Sequence, residues 1–230
     1  PPPPPYPPNV SPGARRPPPL LLAWADGASS KYIPVLKPAF LQYASDEAVE
    51  VRQAAVYGLG VLAANAQAQD FTDTDRQQAA NVLLAMVEHP EAFHVENATA
   101  SDNAVSALGK LCYSNEGIAR HVLPRWLAKL PLRADREEAR TVHTKLVEMT
   151  ESHFKPLLGE SHEHLPSVIC VFGQLLGTDL IEEELNARIG NLLKQVRDGL
   201  PQVLQALPSY PGFAALTPEH RSALERAISS

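Results

Sequence analysis

The sequence predicts an all-α solenoid. About four stacked helix pairs and a C-terminal cap helix span residues 31–230, behind a disordered proline-rich arm of residues 1–30. Three observations carry this expectation. Beyond Lys31 the apolar residues recur with the 3.6-residue period of a helix rather than the alternation of a strand. Glycine is sparse, at 12 of 230 residues, and aromatics make up 6%, too few for the turns and pleated faces of a sandwich or barrel. One local pattern also returns, an apolar residue followed by proline and more apolar residues. It stands at Ile33-Pro34-Val35-Leu36, Leu123-Pro124-Arg125-Trp126-Leu127 and Leu165-Pro166-Ser167-Val168-Ile169. These prolines lie 90 and 42 residues apart. Halving the longer gap gives a unit of about 40–47 residues, the length of a two-helix repeat.

The elements follow in order. Residues 1–30 hold 11 of the 22 prolines. Proline fixes φ and removes a donor, so this stretch favours polyproline II over a packed core. Pro3-Pro4-Pro5-Tyr6 fits the PPxY pattern that WW domains accept, but such matches are frequent in proline-rich sequence and the arm is read as uninvolved. Pro34 then opens the first helix of unit one, and Val51, Ala55, Leu59 and Leu62 mark one face of its second helix. In unit two the stretch Gln78 to Leu84 is helical without the proline, and Ala104, Leu108, Leu111 and Cys112 mark the second helix. Unit three carries Pro124, then Ala139, Val142, Leu146 and Met149. Unit four carries Pro166, then Leu185, Ile189, Leu192 and Val196.

Breakers place the boundaries. Asp70 to Thr74 separates units one and two, His89-Pro90 turns unit two, Pro131 to Asp135 turns unit three, and Gly159 to His164 enters unit four. After Gly199-Leu200-Pro201 the pattern loosens. Thr217-Pro218-Glu219 reads as the N-cap, first-turn proline and first-turn acid of a terminal cap helix. Gly58, Gly60 and Gly109 interrupt second helices at about 0.5–1 kcal/mol each in helix propensity. They are expected where two helices approach closely.

Residues 31–230 carry 18 basic and 25 acidic side chains, a net of −7, with no Lys/Arg cluster. That balance argues against nucleic acid and membrane surfaces as ligands and suits basic protein partners. No apolar run approaches the ~18 residues of a membrane span. Two cysteines, Cys112 and Cys170, cannot frame a disulfide-rich fold and point to a reducing, intracellular compartment. The chain opens on Pro1, and we expect it to be part of a longer protein.

No catalytic residue, cofactor site or metal site is expected, and the chain is read as non-enzymatic. His153, His162 and His164 lie near Glu151, Glu160 and Glu163, but an i, i+2 histidine pair diverges on a helix, so the group reads as a polar loop. Cys112 and Cys170 sit in apolar runs and read as buried thiols. Asn97-Ala98-Thr99 is a formal glycosylation acceptor, expected unmodified in an intracellular helix. Arg52, Gly58, Gly60, Gly109 and Trp126 are assigned to packing. Arg52 is expected to pair with Asp46 or Asp102, because a buried charge without a partner costs several kcal/mol. Glu50, Glu96, Asp102, Glu138, Glu183 and Glu184 are assigned to second helices, where a stack would align them along its concave face to meet a basic partner.

Three segments carry a resemblance. Glu50-Val51-Arg52-Gln53-Ala54-Ala55-Val56-Tyr57-Gly58-Leu59-Gly60-Val61 resembles a stretch of the HEAT repeats of importin-β (karyopherin-β) nuclear transport receptors, above all the importin beta-3 (importin-5) branch. Asn103 to Leu111 resembles the next repeat of that branch, and Val122 to Leu132 the one after. The resemblance runs from about Lys31 to the C-terminus, loosely across residues 152–216, in the order of the family's C-terminal end. It implies a HEAT-repeat fold and a fragment of an import receptor that helps enclose protein cargo at the nuclear pore. Ran-GTP and nucleoporins would be engaged through the full-length receptor, which moves between cytoplasm and nucleus. The alternative is a HEAT scaffold of another type, such as a phosphatase scaffold or a tubulin-binding array.

Overall fold

The computed structural model describes residues 30–229, so the expectations for the arm, including Pro3 to Tyr6, fall outside the described residues. Within them every regular element is helical and there is no strand. Unit one pairs α1 (Ile33–Tyr43) with α2 (Val49–Asn65), and unit two pairs α3 (Asp73–Glu88) with α4 (Ala98–Ser114). Unit three pairs α5 (Glu116–Leu127) with α6 (Arg136–Glu151). A short α7 (Lys155–Leu158) follows, and unit four pairs α8 (Leu165–Leu175) with α9 (Glu183–Gly199). The end is built from α10 (Pro201–Ala206), α11 (Pro211–Ala214) and α12 (Pro218–Ser229).

Local chemistry sets these boundaries. Pro34 and Pro166 sit in the first turns of α1 and α8, where their missing N–H would be unpaired in any case. Pro124 lies well inside α5, which begins earlier because the Asn115 side chain accepts from the Ile118 amide at 3.0 Å. The first helices therefore start at residues 33, 73, 116 and 165, and the last spacing is the longest because α7 is inserted there. Thr72 and Asp75 form a reciprocal capping box on α3. Asp135 caps α6 by accepting from the Glu137 and Glu138 amides. Thr217 caps α12, accepting from His220 N at 3.3 Å.

The helices form two layers. Second helices α2, α4, α6 and α9 stack in one, first helices α1, α3, α5 and α8 in the other, and a continuous apolar core lies between. The C-terminal end is closed by α12, which packs on both α8 and α9 and buries Leu224. Val51 departs from the expected buried face. It is 38% exposed, in the first turn of α2, where no earlier unit among the described residues covers it.

Second helices come closest between units one and two, where α2 and α4 make the most extensive contact of the stack. A Cβ on Gly60 would stand 3.2 Å from the Ala107 Cβ, closer than ordinary van der Waals contact. A Cβ on Gly109 would stand 3.3 Å from the Trp126 indole, and one on Gly58 would enter the Phe40 ring at 2.6 Å. Trp126 is fully buried there, and its Nε1 donates to the Val105 carbonyl at 2.9 Å. Gly60 thus brings unit one close to unit two and Gly109 brings unit two close to unit three, while Gly58 makes room for Phe40 within unit one.

Polar ties repeat at the same interval. Lys37–Asp75, Asn115–Asp73, Arg136–Asp179 and Arg188–Glu151 join residues 37 to 43 positions apart, each linking one unit to the next. Buried Arg76 donates to the Ala63 and Ala66 carbonyls at the end of α2, to the Phe71 carbonyl and to the Ser114 hydroxyl. The negative end of the α2 dipole helps to hold that cation.

Two glycine substitutions should therefore act in opposite directions. Gly109→Leu should cost about 1–3 kcal/mol by overpacking against Trp126. Gly190→Ala should add about 0.5–1 kcal/mol, because a Cβ there meets nothing within 4 Å inside α9. Urea unfolding of both variants beside the parent chain checks the pair, and an unaltered midpoint for Gly109→Leu would remove the packing role.

Candidate functional site

The six acids assigned to a concave face do not form one line. Asp102 is 2% exposed, and its Oδ2 accepts from three consecutive amides, Arg133 N at 3.1 Å, Ala134 N at 2.7 Å and Asp135 N at 2.9 Å. Burial pushes its pKa up, with the three amides opposing. This carboxylate pins the α5–α6 turn and is closed off from solvent, so it does not stand on an open concave face as expected. Glu138, in the first turn of α6, accepts from the Ser106 hydroxyl and from Lys110 Nζ, and its side chain is 15% exposed. Glu96 is exposed but precedes α4 in the turn. Glu50, Glu183 and Glu184 remain open to solvent in the first turns of α2 and α9, where a negative charge also complements the helix dipole.

Arg52 also departs from expectation. Its guanidinium donates to the Asp46 and Glu47 carbonyls at 2.7 and 2.9 Å and to Asn97 Oδ1 at 2.6 Å. Main-chain and amide oxygens satisfy the charge, because Asp102 is already occupied and the Asp46 carboxylate accepts from Ala48 N. The Asn97 amide is engaged on both sides, since its Nδ2 donates to the Glu91 carbonyl at 3.1 Å.

What the second helices do present is a groove of about 260 Å³ between α2, α4 and α6, lined mainly by apolar surface. Ala64, Lys110, Tyr113, Thr141 and Lys145 edge it, and Trp126 forms part of its floor beside Gly109. Lys145 Nζ lies 4.0 Å over the Tyr113 ring and 2.6 Å from the Glu148 carboxylate. Closer to the N-terminal turns the field is negative. The half-buried Tyr57 hydroxyl is held above its ordinary pKa by burial first, and then by Glu138 and Asp135. Attention to acids alone passes over this groove. Its available signal is the i, i+3 pair Lys110 and Tyr113, with Lys145 following within a repeat length.

Among the described residues no three His, Cys, Asp or Glu side chains gather as a metal set. Glu151 pairs with Arg188, Glu160 with Arg120 and Lys155, and Glu163 accepts from Ser161 N. Cys112 and Cys170 are buried, and burial pushes their thiols up to about 12 and about 11, so both stay protonated at neutral pH.

One buried titratable group escaped the sequence reading. His143 in α6 is fully covered. Its Nε2 accepts from Leu132 N at 3.2 Å, which leaves the proton on Nδ1 to donate to the Leu180 carbonyl at 3.2 Å. It therefore joins the inter-helix turns of units three and four. Burial brings its pKa down from 6.5 to about 4, opposed by the Leu180 bond and aided by the Arg133 charge. The unfolded chain takes up a proton below pH 6.5 and the folded chain only near pH 4. The stabilisation is present above 6.5 and is lost as pH falls through that window. Between pH 7 and 5 the parent chain should lose about 2 kcal/mol through this residue, and His143→Gln should lack that slope. Urea midpoints at the two pH values check it, and parallel slopes in both chains would dismiss the coupling.

The HEAT repeat family matches residues 36–66, most of α1 and all of α2. This match falls on a helix pair that three further pairs repeat in the same two-layer arrangement. The fold is a HEAT-type α-solenoid.

Proposed function

We propose that this array is a non-enzymatic protein-binding scaffold, and more specifically the part of an importin-β-type nuclear transport receptor that helps enclose cargo. What supports the reading is the order in which the receptor-like segments fall on the stack. Glu50 to Val61 lies in α2, Asn103 to Leu111 lies in α4, and Val122 to Leu132 covers the second half of α5 and the start of the following turn. They therefore lie on successive neighbouring helices. Each unit contacts mainly its neighbours, so small changes at each interface add up to a change in curvature that can follow a partner's shape. In this reading the partner is a basic protein met by Glu50, Glu183 and Glu184, and the receptor moves between cytoplasm and nucleus. Ran-GTP and nucleoporins are engaged by the whole receptor, with Ran contacted mainly by repeats outside this chain. Neither nucleic acid nor membrane is a ligand.

A titration against a basic nuclear-localisation-type peptide tests this. Affinity should fall as salt rises from about 50 to 200 mM, because the Debye length shortens and exposed charges are screened. Glu183→Lys with Glu184→Lys should weaken binding several-fold at unchanged helix content, and Ran-GTP run in parallel should bind weakly or not at all. Binding indifferent to salt and to both reversals would remove the acidic contact. Tight Ran-GTP binding would overturn the division of roles, and loss of all peptide binding would favour a scaffold outside nuclear transport.

A further inference from the structure

We propose that the groove between α2, α4 and α6 docks a short peptide segment of a partner protein, an apolar anchor flanked by Asp or Glu. This rests on reading the array as a protein-binding scaffold, but not on its assignment to nuclear transport. The groove holds about 260 Å³. That is below the roughly 300–1,000 Å³ of small-molecule pockets and suits one large apolar side chain. Its surface is mainly apolar, with Ala64, Val142 and Tyr113 around it and the buried Trp126 behind its floor, so a leucine or phenylalanine can enter without desolvating an unpaired polar group. The serine and threonine hydroxyls at its edge are already used. Ser106 donates to Glu138, Ser114 to the Leu111 carbonyl and Thr141 to the Glu137 carbonyl.

The charge at the rim selects the flanking residues. Lys110 and Lys145 line the groove and no carboxylate does. Each ammonium has three protons and one carboxylate partner, Glu138 at 3.3 Å and Glu148 at 2.6 Å. Both pairs are partly solvent-exposed, the kind of contact that holds weakly and reorganises readily. An arriving carboxylate finds donors on both walls, whereas an arriving ammonium meets two of its own sign. Tyr113, 58% exposed beneath Lys145, supplies a further flat face for the anchor. The groove therefore asks for the opposite charge from the partner that Glu50, Glu183 and Glu184 suit.

The experiment is a fluorescence-anisotropy titration of the full chain with a labelled peptide carrying Leu-Phe between acidic pairs. One control replaces the acids with lysine and another replaces Leu-Phe with serine. The acidic apolar peptide should bind with a Kd of roughly tens of micromolar, at least about tenfold tighter than either control. Lys110→Gln with Lys145→Gln should weaken it about tenfold, and Ala64→Trp or Thr141→Trp at the exposed rim should block it without altering the unfolding midpoint. Equal or tighter binding of the lysine control, no binding of the acidic peptide up to about 1 mM, or binding untouched by both rim variants would overturn the proposal. The basic peptide of the preceding section, run on the same preparation, separates the two readings. If it binds while the acidic peptide does not, only the groove assignment falls. If neither binds, the groove assignment and the nuclear-transport reading fall together.

Discussion

The stack depends on how closely its second helices can approach. Helices normally pack at a distance set by the side chains between them. Here Gly60 against Ala107 and Gly109 against Trp126 remove those side chains at the inter-unit contacts. The consequences reach beyond packing energy. With no side chain on Gly109, the indole of Trp126 comes up beneath α4, buried with its N–H satisfied by Val105, and becomes the floor of the groove. The same glycines that weaken each helix in isolation set the distance between units and shape the surface they share.

The groups that join the units are chemically different yet occupy corresponding places. Arg52, early in α2, reaches Asn97 at the start of the next second helix. Asp102, early in α4, reaches the amides of residues 133–135 in the following turn. His143 in α6 reaches Leu180 in the turn after that. A guanidinium, a carboxylate and an imidazole each satisfy main-chain or amide groups one unit ahead. Buried polar groups need partners, and an inter-helix turn is where unpaired backbone groups are concentrated.

Much of this organisation was legible in the sequence because it rests on local rules. The helix pairs, the turns at His89-Pro90 and Pro131 to Asp135, the Thr217 cap and the small-residue contacts all follow from proline, glycine and apolar spacing. Exposure of the acids was not legible. Whether Asp102 meets solvent depends on the turn of the next unit, more than 30 residues away, and nothing in its own segment marks that contact. Arg52 was expected to pair with an acid of its own or an adjacent unit, but its acceptors are oxygens that every residue carries or that an asparagine supplies. His143 was missed for the same reason. Pro124 lies within a first helix as its motif predicts, but deeper than Pro34 and Pro166, since Asn115 starts the helix before the proline is reached.

The line of ties through Arg52, Asp102 and His143 also has a mechanical side. All three lie on the edge of the stack where second helices meet the turns ahead of them, and their hydrogen bonds span 2.6 to 3.2 Å. An edge stitched in this way resists stretching, so the units bend about it like pages about a spine. Changes of curvature must then be taken up away from the spine, where exposed ion pairs such as Arg120–Glu160 lengthen at little expense. Ionic strength loosens those outer pairs and leaves the sheltered stitches intact. Salt would therefore alter how far the array opens without altering the axis about which it opens.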